Sequence, residues 1–305
     1  MIKKFVYITT LTFFLFFLVF IFPLKAVEKA YDPSNKNVLL VLDGPTVPHG
    51  MFAVFLITLG VLDFFEKGHY GGIWVNLNSG FYYEPSVGIN WWEYFFEPLA
   101  IVPKNPWIPY YISVEETVGF GFNTLINMPR QRANELIQKY VHIKPYILHE
   151  VDQFIAEQFT NSYVIGVHYR GTDKVALEVN RLSFESMAEA IQETIQTIPI
   201  DQQNNYRIFI ATDEQAFLDY ITQRFSCPVV YTNAFRSSNG LAVHSQTSDS
   251  NYQKGKEALI DCLLLSRCNF LIRTESNLSR AAEFFNPSLP VRFLKTGWKF
   301  EIPVK

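Results

Sequence analysis

The chain has 305 residues, of which 49% are hydrophobic and only 18% are charged, and its formal net charge is −3 at pH 7. This composition excludes an intrinsically disordered chain, and because the sequence contains no basic run, we expect no nucleic-acid partner. The length is sufficient for two domains with separate hydrophobic cores. The three cysteines are an odd number without zinc-site spacing, which argues against a disulfide framework and a structural metal.

Residues 5–24 form an uncharged apolar segment near the amino terminus. Because a helix needs about 20 apolar residues to cross a bilayer, we predict a single-pass N-terminal membrane anchor over residues 1–25 and a polar stem over 26–36. A cleaved signal peptide is the alternative, but its apolar region is usually about 7 to 15 residues long and Leu24-Lys25-Ala26 is a poor cleavage site. The flanking lysines do not fix the orientation, so a Golgi-type lumenal location and a bacterial envelope location both stay open.

Apolar strand patterns alternate with helical patterns in the first half of the chain. Residues 37–43 are predicted to form a buried strand that ends at Asp43, and residues 51–67 an apolar helix. Further elements are predicted as a strand at 73–77 and helices at 127–140 and 146–159. Residues 79–112 are rich in aromatic residues, proline and glycine and give no assignment. We assign residues 37–145 to an N-terminal α/β domain.

The same alternation is clearer in the second half. The predicted strands cover residues 163–167, 207–211, 228–231, 269–272 and 291–293, and the predicted helices cover residues 183–197, 213–224, 255–266 and 277–285. Short apolar strands that alternate with helices indicate a parallel sheet covered by helices on both faces. The fold class is therefore α/β, with a second α/β domain over residues 146–305.

Polar side chains follow three of these predicted strands. The segments are H-Y-R-G-T-D-K at 168–174, T-D-E at 212–214 and R-T-E-S-N at 273–277. Ligands of open α/β sheets bind beyond the carboxyl ends of the strands, where these segments meet. Turns and helix caps account for the threonine, serine and aspartate residues, but they do not account for Arg170 and Arg273. We therefore predict a ligand site at this edge of the sheet.

The residue types at this edge suit a nucleotide diphosphate. Arg170 offers a forked, permanently charged donor for phosphate oxygens. Thr274, Ser276 and the free N–H groups of the following helix can receive a further phosphate oxygen. Asp213 and Glu214 can accept hydrogen bonds from ribose hydroxyls or from a guanine edge. The sequence contains neither a P-loop pattern nor a D-x-D pair, so we expect no metal ion against the diphosphate.

Three segments together resemble the α-1,6-fucosyltransferases, a superfamily that includes the core and the nodulation fucosyltransferases. Residues 168–174 resemble the H-x-R-R-T-D-K motif of these enzymes. Residues 210–214, I-A-T-D-E, resemble their A-T-D-D element, and residues 259–279 resemble their third conserved element. The three segments occur in the family's order, and the resemblance covers about residues 160–290.

The resemblance implies an inverting, metal-independent glycosyltransferase that moves fucose from GDP-fucose to a glycan acceptor. Its fold would be two Rossmann-like domains of the GT-B type, with the donor in the C-terminal one and no cofactor beyond the donor substrate. By position, Arg170 would hold the diphosphate, Asp213 and Asp261 the nucleoside, and Ser276 a phosphate. Glu178 stands where the family has its candidate general base, with Lys174 beside it. The remaining predicted donor-site residues are His168, Arg273 and Thr274.

The sequence departs from the family motif at Gly171, where the family has a second arginine. We consider Arg273 as a replacement for that charge. The departure leaves two alternatives open, a non-catalytic nucleotide- or glycan-binding relative and a transferase that uses another nucleotide sugar. Asp261 could face solvent instead of the ligand, and the aromatic residues 91–96 could form core or stack on a sugar. Lys254 and Lys256 could each reach a phosphate or lie in solvent.

Overall fold

The computed structural model describes residues 34–44, 49–104, 107–114, 116, 128–172, 180–238 and 250–296. Within these ranges the chain forms two β-sheets flanked by helices, one in each half. This arrangement confirms the predicted α/β class with parallel sheets. The predicted anchor at residues 5–24 lies outside the described ranges, and inside them no helix is long and apolar enough to cross a bilayer.

The first sheet lies in the first half of the chain. The elements there are β1 (Val38–Asp43), α1 (Met51–Glu66), β2 (Gly72–Asn76), α2 (Trp92–Phe95), β3 (Ala100–Ile101), β4 (Ile108–Ser113), α3 (Arg130–Tyr140) and α4 (Pro145–Gln158). The strand order is β3-β2-β1-β4, in which β1 runs parallel to β2 and β4, and β3 runs antiparallel to β2. Sequence analysis gave no assignment for β3 and β4. Both are edge strands with exposed side chains, so they lack the buried apolar run that identifies a strand.

The second sheet is fully parallel. Its half of the chain contains β5 (Tyr163–Tyr169), α5 (Phe184–Ile195), a 3₁₀ turn (Ile200–Gln202), β6 (Tyr206–Thr212), α6 (Gln215–Arg224), β7 (Val229–Val230), α7 (Asn251–Ser266), β8 (Phe270–Arg273), α8 (Asn277–Phe285) and β9 (Val291–Phe293). The strand order is β7-β6-β5-β8-β9. The order reverses between β5 and β8, and open α/β sheets bind ligands at such a switch point.

Helix α7 begins earlier than its apolar residues indicated. Ser250 is its N-cap, because the Ser250 hydroxyl accepts a hydrogen bond from the Gln253 amide at 3.1 Å. The sequence prediction placed the start at Gly255, which the structure shows inside the helix. The extra turn carries Lys254 and sets it against the first half of the chain.

Alternate side chains of β5 enter two hydrophobic cores. Ile165, Val167 and Tyr169 pack with residues of α5 and α6, whereas Val164 packs on the opposite face with residues of α4, α7 and α8. The second of these cores is continuous with the core of the first half. Helices α4, α7 and α8 therefore lie between the two sheets.

Close packing of α7 against the first half depends on Gly255. A Cβ atom at this position would lie 2.5 Å from Cζ of Phe95 and 3.1 Å from Cδ1 of Tyr82. The adjacent Tyr252 ring stacks on Phe95 at 5.7 Å between centroids, and the Tyr252 amide donates to the Glu84 carboxylate at 2.9 Å. The halves are thus joined by direct contact of one helix with an aromatic loop.

The aromatic segment 91–96 belongs to the core. The side chains of Trp91, Trp92, Phe95 and Phe96 are fully buried. The Trp92 ring stacks on Phe55 of α1 at 6.2 Å between centroids and packs at a tilt against Phe96 at 4.4 Å. This placement confirms the core interpretation over sugar stacking.

Candidate functional site

A cavity lies at the carboxyl edge of the second sheet, between β5, β6, α7 and the loop that follows β2. Four of the predicted donor-site residues line it, and they are His168, Arg170, Asp213 and Asp261. A larger groove of about 710 Å³ adjoins it and shares Ala234 and Glu257, but none of the predicted site residues line that groove. The cavity, rather than the larger groove, is therefore the candidate site.

Arg170 and Asp213 form the charged centre of the cavity. Nη1 of Arg170 lies 2.7 Å from Oδ2 of Asp213. The Asp213 carboxylate also accepts hydrogen bonds from the Gly171 amide at 2.9 Å and from the Thr172 hydroxyl. Burial opposes ionisation of Asp213, but Arg170 and these two donors outweigh it and hold the pKa of the carboxyl below its ordinary value. The guanidinium is thereby fixed at the switch point.

Thr274 and Ser276 lie between β8 and α8, next to this centre, and do not line the cavity. The Arg170 amide donates to Oγ1 of Thr274 at 3.2 Å, and the Thr274 amide donates to the His168 carbonyl at 3.2 Å. The Ser276 hydroxyl caps α8 by accepting from the Leu278 amide at 3.3 Å. Thr274 thus positions the backbone of Arg170, and Ser276 holds the N-terminus of α8 beside it.

Arg273 contacts other residues. It forms an ion pair with Glu283, and its guanidinium lies 4.3 Å from the centroid of the Phe293 ring. Burial lowers the pKa of Arg273, and Glu283 opposes that shift. Because Arg273 does not line the cavity, its role as the replacement for the missing arginine stays a prediction.

His168 is a buried histidine that lines the cavity. Its side chain is 4% exposed, and Nδ1 has no hydrogen-bond partner among the described residues. Burial lowers the pKa of His168 to about 3, so the imidazole is neutral at pH 7. A buried nitrogen without a partner is costly, and a polar ligand in the cavity would relieve that cost.

Asp261 faces the cavity and not solvent. It is 6% exposed, and its Oδ1 accepts a hydrogen bond from the Thr232 hydroxyl at 2.7 Å. Burial raises the pKa of Asp261 to about 6, although the Thr232 hydroxyl acts in the opposite direction. The carboxylate is therefore an ionised but poorly solvated acceptor at neutral pH.

The two candidate residues for acid–base chemistry lie outside the described ranges. These are Lys174 and Glu178, together with their neighbour Asp173. Their roles stay predictions. Of the lysines left open by the sequence, Lys254 is buried and lines the cavity, whereas Lys256 pairs with Glu150 at 2.8 Å.

Sequence reasoning missed Tyr82 and Phe235, which also line the cavity. Tyr82 belongs to the unassigned aromatic segment, and only the fold places it against the second half. Phe235 follows β7 at the same carboxyl edge as the recognised segments, and its amide donates to the Glu257 carboxylate at 3.1 Å. The rule that ligands bind beyond strand ends could have identified the loop of Phe235.

Gly171 has no space for a side chain. A Cβ atom there would lie 1.9 Å from Oε2 and 3.1 Å from Cβ of Glu214, and the Glu214 carboxylate is paired with Arg181. The Glu214 side chain and its partner Arg181 thus occupy the volume into which a residue larger than glycine would project.

Replacement of Gly171 with alanine is expected to lower the free energy of unfolding by about 1–3 kcal/mol, because Glu214 must move and its pair with Arg181 is disturbed. Thermal denaturation measures the loss. Gly50→Ala is the matched control, since a Cβ at Gly50 meets nothing within 4 Å and its φ is −63°. Equal melting temperatures for the two variants would contradict the packing argument.

No group of three or more metal-ligating side chains occurs in the described parts of the chain. The positive charges that line the cavity come from Arg170 and Lys254. Together with the N-terminus of α8, they are the features able to neutralise a bound diphosphate there.

The chain is similar to known proteins in sequence and in fold. The family model described as Nodulation protein Z (NodZ) matches residues 124–293. The nodulation protein Z of Azorhizobium caulinodans is 30% identical over 138 residues, which are 43% of this chain and 40% of that protein. The match thus spans less than half of the relative's length.

Solved structures show the same fold. A NodZ alpha-1,6-fucosyltransferase co-crystallised with GDP has a TM-score of 0.55 at 18% identity, over 82% of this chain and 92% of that one. The fucosyltransferase NodZ from Bradyrhizobium has a TM-score of 0.53 at 18% identity, over 82% and 93%. POFUT1 in complex with GDP has a TM-score of 0.50 at 13% identity, over 86% and 99%. Because the family model covers more than half of its residues, the chain belongs to the nodulation protein Z (NodZ) family.

Proposed function

We propose that the chain is an inverting, metal-independent glycosyltransferase that moves fucose from GDP-fucose to a glycan acceptor. The observation that carries the proposal is Arg170, which follows β5 at the topological switch point of a parallel sheet and lines the cavity at the carboxyl edge of that sheet. Membership of the NodZ family and structural neighbours that contain GDP support the choice of donor.

The diphosphate would lie between Arg170 and the N-terminus of α8. A guanidinium has five N–H donors, so Arg170 can remain paired with Asp213 and still donate to a phosphate oxygen. The helix end adds a positive potential and amide donors. As the bond to the sugar breaks, the leaving diphosphate gains charge, and these groups are already in place to stabilise it.

The guanine base would lie against Asp261. The carboxylate is an acceptor, and the N–H groups on the Watson–Crick edge of guanine are donors. The neighbouring His168 is neutral and can donate or accept. The hydrogen-bond partner of Asp261 is a neutral hydroxyl and not a cation. The N–H donors of a bound guanine would therefore stabilise this buried carboxylate, which favours guanine as the base.

Inversion requires a base that takes the proton of the acceptor hydroxyl on the face opposite the leaving group. We assign this role to Glu178, with Lys174 beside it, on the resemblance to the family motif. Tyr82 brings the first half of the chain to the cavity, and we infer that the acceptor glycan binds on that side.

We also propose that residues 5–24 anchor the protein in a membrane as a single-pass helix, in a Golgi-type lumen or a bacterial envelope. The uncharged length of the segment supports this. The proposal is independent of the donor assignment.

The test is to incubate the purified full-length chain in detergent with GDP-fucose and to measure GDP release. We expect release that EDTA does not reduce and that Glu178→Gln abolishes. Thermal stabilisation by GDP without any release would instead favour the non-catalytic binder. Stronger stabilisation by UDP than by GDP would favour another nucleotide sugar.

A further inference from the structure

Large apolar side chains are exposed at the amino ends of the strands in the first sheet. Val102 is 52% exposed, Trp107 40% and Ile108 62%. Ile108 pairs with Val38 at the start of β1, and Ile101 pairs with Ile73 at the start of β2. The three exposed residues therefore lie together at one edge of the sheet, opposite the cavity.

Lysine side chains accompany this apolar edge. Lys36 directly precedes β1, and Lys104 lies between Val102 and Trp107, and both are exposed. Lys67, the C-cap of α1, is also exposed, and its ammonium pairs with Asp63 at 2.7 Å. Lys36 donates to the carbonyl of the adjacent Gly68. We call the set Lys36, Lys67, Val102, Lys104, Trp107 and Ile108 the amino-edge surface.

Tryptophan, aliphatic residues and lysines on one exposed surface are typical of contact with a membrane interface. Tryptophan prefers the headgroup level, and lysines are attracted to anionic lipids. Ile200, which is 85% exposed, lies in the second half of the chain and has no such surroundings. A lone exposed residue of that kind is ordinary for a protein surface.

The position of the apolar segment indicates that the partner of this surface is a membrane. Residues 5–24 are separated from the first described residue, Ser34, by residues 25–33. A chain of that length spans at most about 30 Å even when fully extended. Because β1 starts at Val38, the amino edge of the first sheet is the part of the fold that stays near the bilayer.

We propose that the amino-edge surface rests in the headgroup layer of an anionic bilayer. This rests on the proposed anchor, and it adds an orientation that the anchor alone does not give. Strands rise about 3.3 Å per residue, so the carboxyl edge of the six-residue strand β1 would stand roughly 20 Å further from the bilayer. The cavity that Tyr82 lines would then open away from the bilayer, toward acceptors that are not embedded in the bilayer.

The test uses the full chain in nanodiscs of phosphatidylcholine and phosphatidylglycerol that contain brominated lipid. A bimane label is attached in Ile108→Cys and, as the matched control, in Ile200→Cys, each with Cys227→Ser, because the other two cysteines are buried. We expect brominated lipid to lower the emission at position 108, relative to the same protein in nanodiscs without bromine, but not the emission at position 200. Raising the salt concentration should weaken the loss, since it screens the lysines.

Two results would overturn the proposal in distinguishable ways. Unquenched emission at both positions, in protein that resists alkaline extraction, would contradict the membrane contact of the amino-edge surface but not the anchor. Extraction of the protein by alkali would contradict both the anchor and the membrane contact of the amino-edge surface. GDP release measured in the same samples reports the catalytic proposal separately.

Discussion

Arg170→Ala is expected to reduce GDP release from GDP-fucose by at least about 10²- to 10³-fold, the usual effect of removing one preorganised donor from a developing negative charge. Arg170 lines the cavity, and Asp213 holds its guanidinium at 2.7 Å. Release kinetics at saturating GDP-fucose give the loss in kcat.

The same variant is expected to lose stability as well. The structure pairs Arg170 with Asp213, a carboxylate whose side chain is only 9% exposed. Breaking such a pair from one side costs about 3–5 kcal/mol when the charge is fully buried, and the Gly171 and Thr172 donors to Asp213 reduce this cost. Denaturant unfolding of the apo protein measures it.

Arg292→Ala is the matched control for both readouts. Arg292 forms an ion pair with Glu193 whose side chains are 36% and 62% exposed, and such a surface pair contributes less than about 1 kcal/mol. Arg170→Lys separates charge from geometry, because lysine keeps the charge but lacks the forked donor. If Arg170→Ala kept near-normal turnover, the donor assignment would be wrong.

Asp261→Asn is expected to make the apo protein more stable at pH 7 while it weakens GDP binding. Burial raises the pKa of Asp261 from 3.8 to about 6. Between these values the folded state keeps a proton that the unfolded state has lost, so stability falls as the pH rises through this range and stays lower above it. The cost at pH 7 is roughly 3 kcal/mol, since one pKa unit corresponds to about 1.4 kcal/mol.

Asparagine removes this cost because it is neutral, and its Oδ1 can still accept from the Thr232 hydroxyl. The melting temperature of Asp261→Asn should therefore exceed that of the wild type at pH 7, and the difference should shrink as the pH falls below about 6. Asp201→Asn, at an exposed aspartate, should show no such difference. A lower melting temperature for Asp261→Asn at pH 7 would contradict the burial argument.

The loss of GDP affinity in Asp261→Asn should be about 1–3 kcal/mol, the range for discrimination by a bidentate base contact. Xanthosine diphosphate provides a sharper test. Its base has a carbonyl where guanine has an amino group, so the asparagine amide could donate to it. Recovered binding of xanthosine diphosphate by Asp261→Asn would support the base assignment, and equal weakening for both nucleotides would remove it.

Much of the second half could be predicted from the sequence because its strands are buried on both faces. Continuous apolar runs such as β6 and the polar residues directly after them are visible without any structure. Arg170 and Asp213 were found in this way, and the structure brings them into contact. The residues after a strand end and the position of the strand in the sheet together identify this part of the site.

The rest depended on packing that no local pattern encodes. The edge strand β4 fully buries only Ile112 and exposes Ile108 and Tyr111, so it has no continuous buried apolar run to read from the sequence. Tyr82 reaches the cavity only because Gly255 lets α7 approach it. The fit of Gly171 against Glu214 likewise involves residues 43 positions apart in the chain. Such contacts follow from tertiary structure and not from periodicity.

We expect the position of helix α7 to influence the order in which the substrates bind. One turn of it packs against the first half of the chain at Gly255, and about two turns further on it presents Asp261 to the cavity. Under the proposed function, a nucleotide bound to Asp261 would contact the same helix that packs against the first half of the chain. We therefore expect ordered addition, with the donor first and the acceptor glycan second.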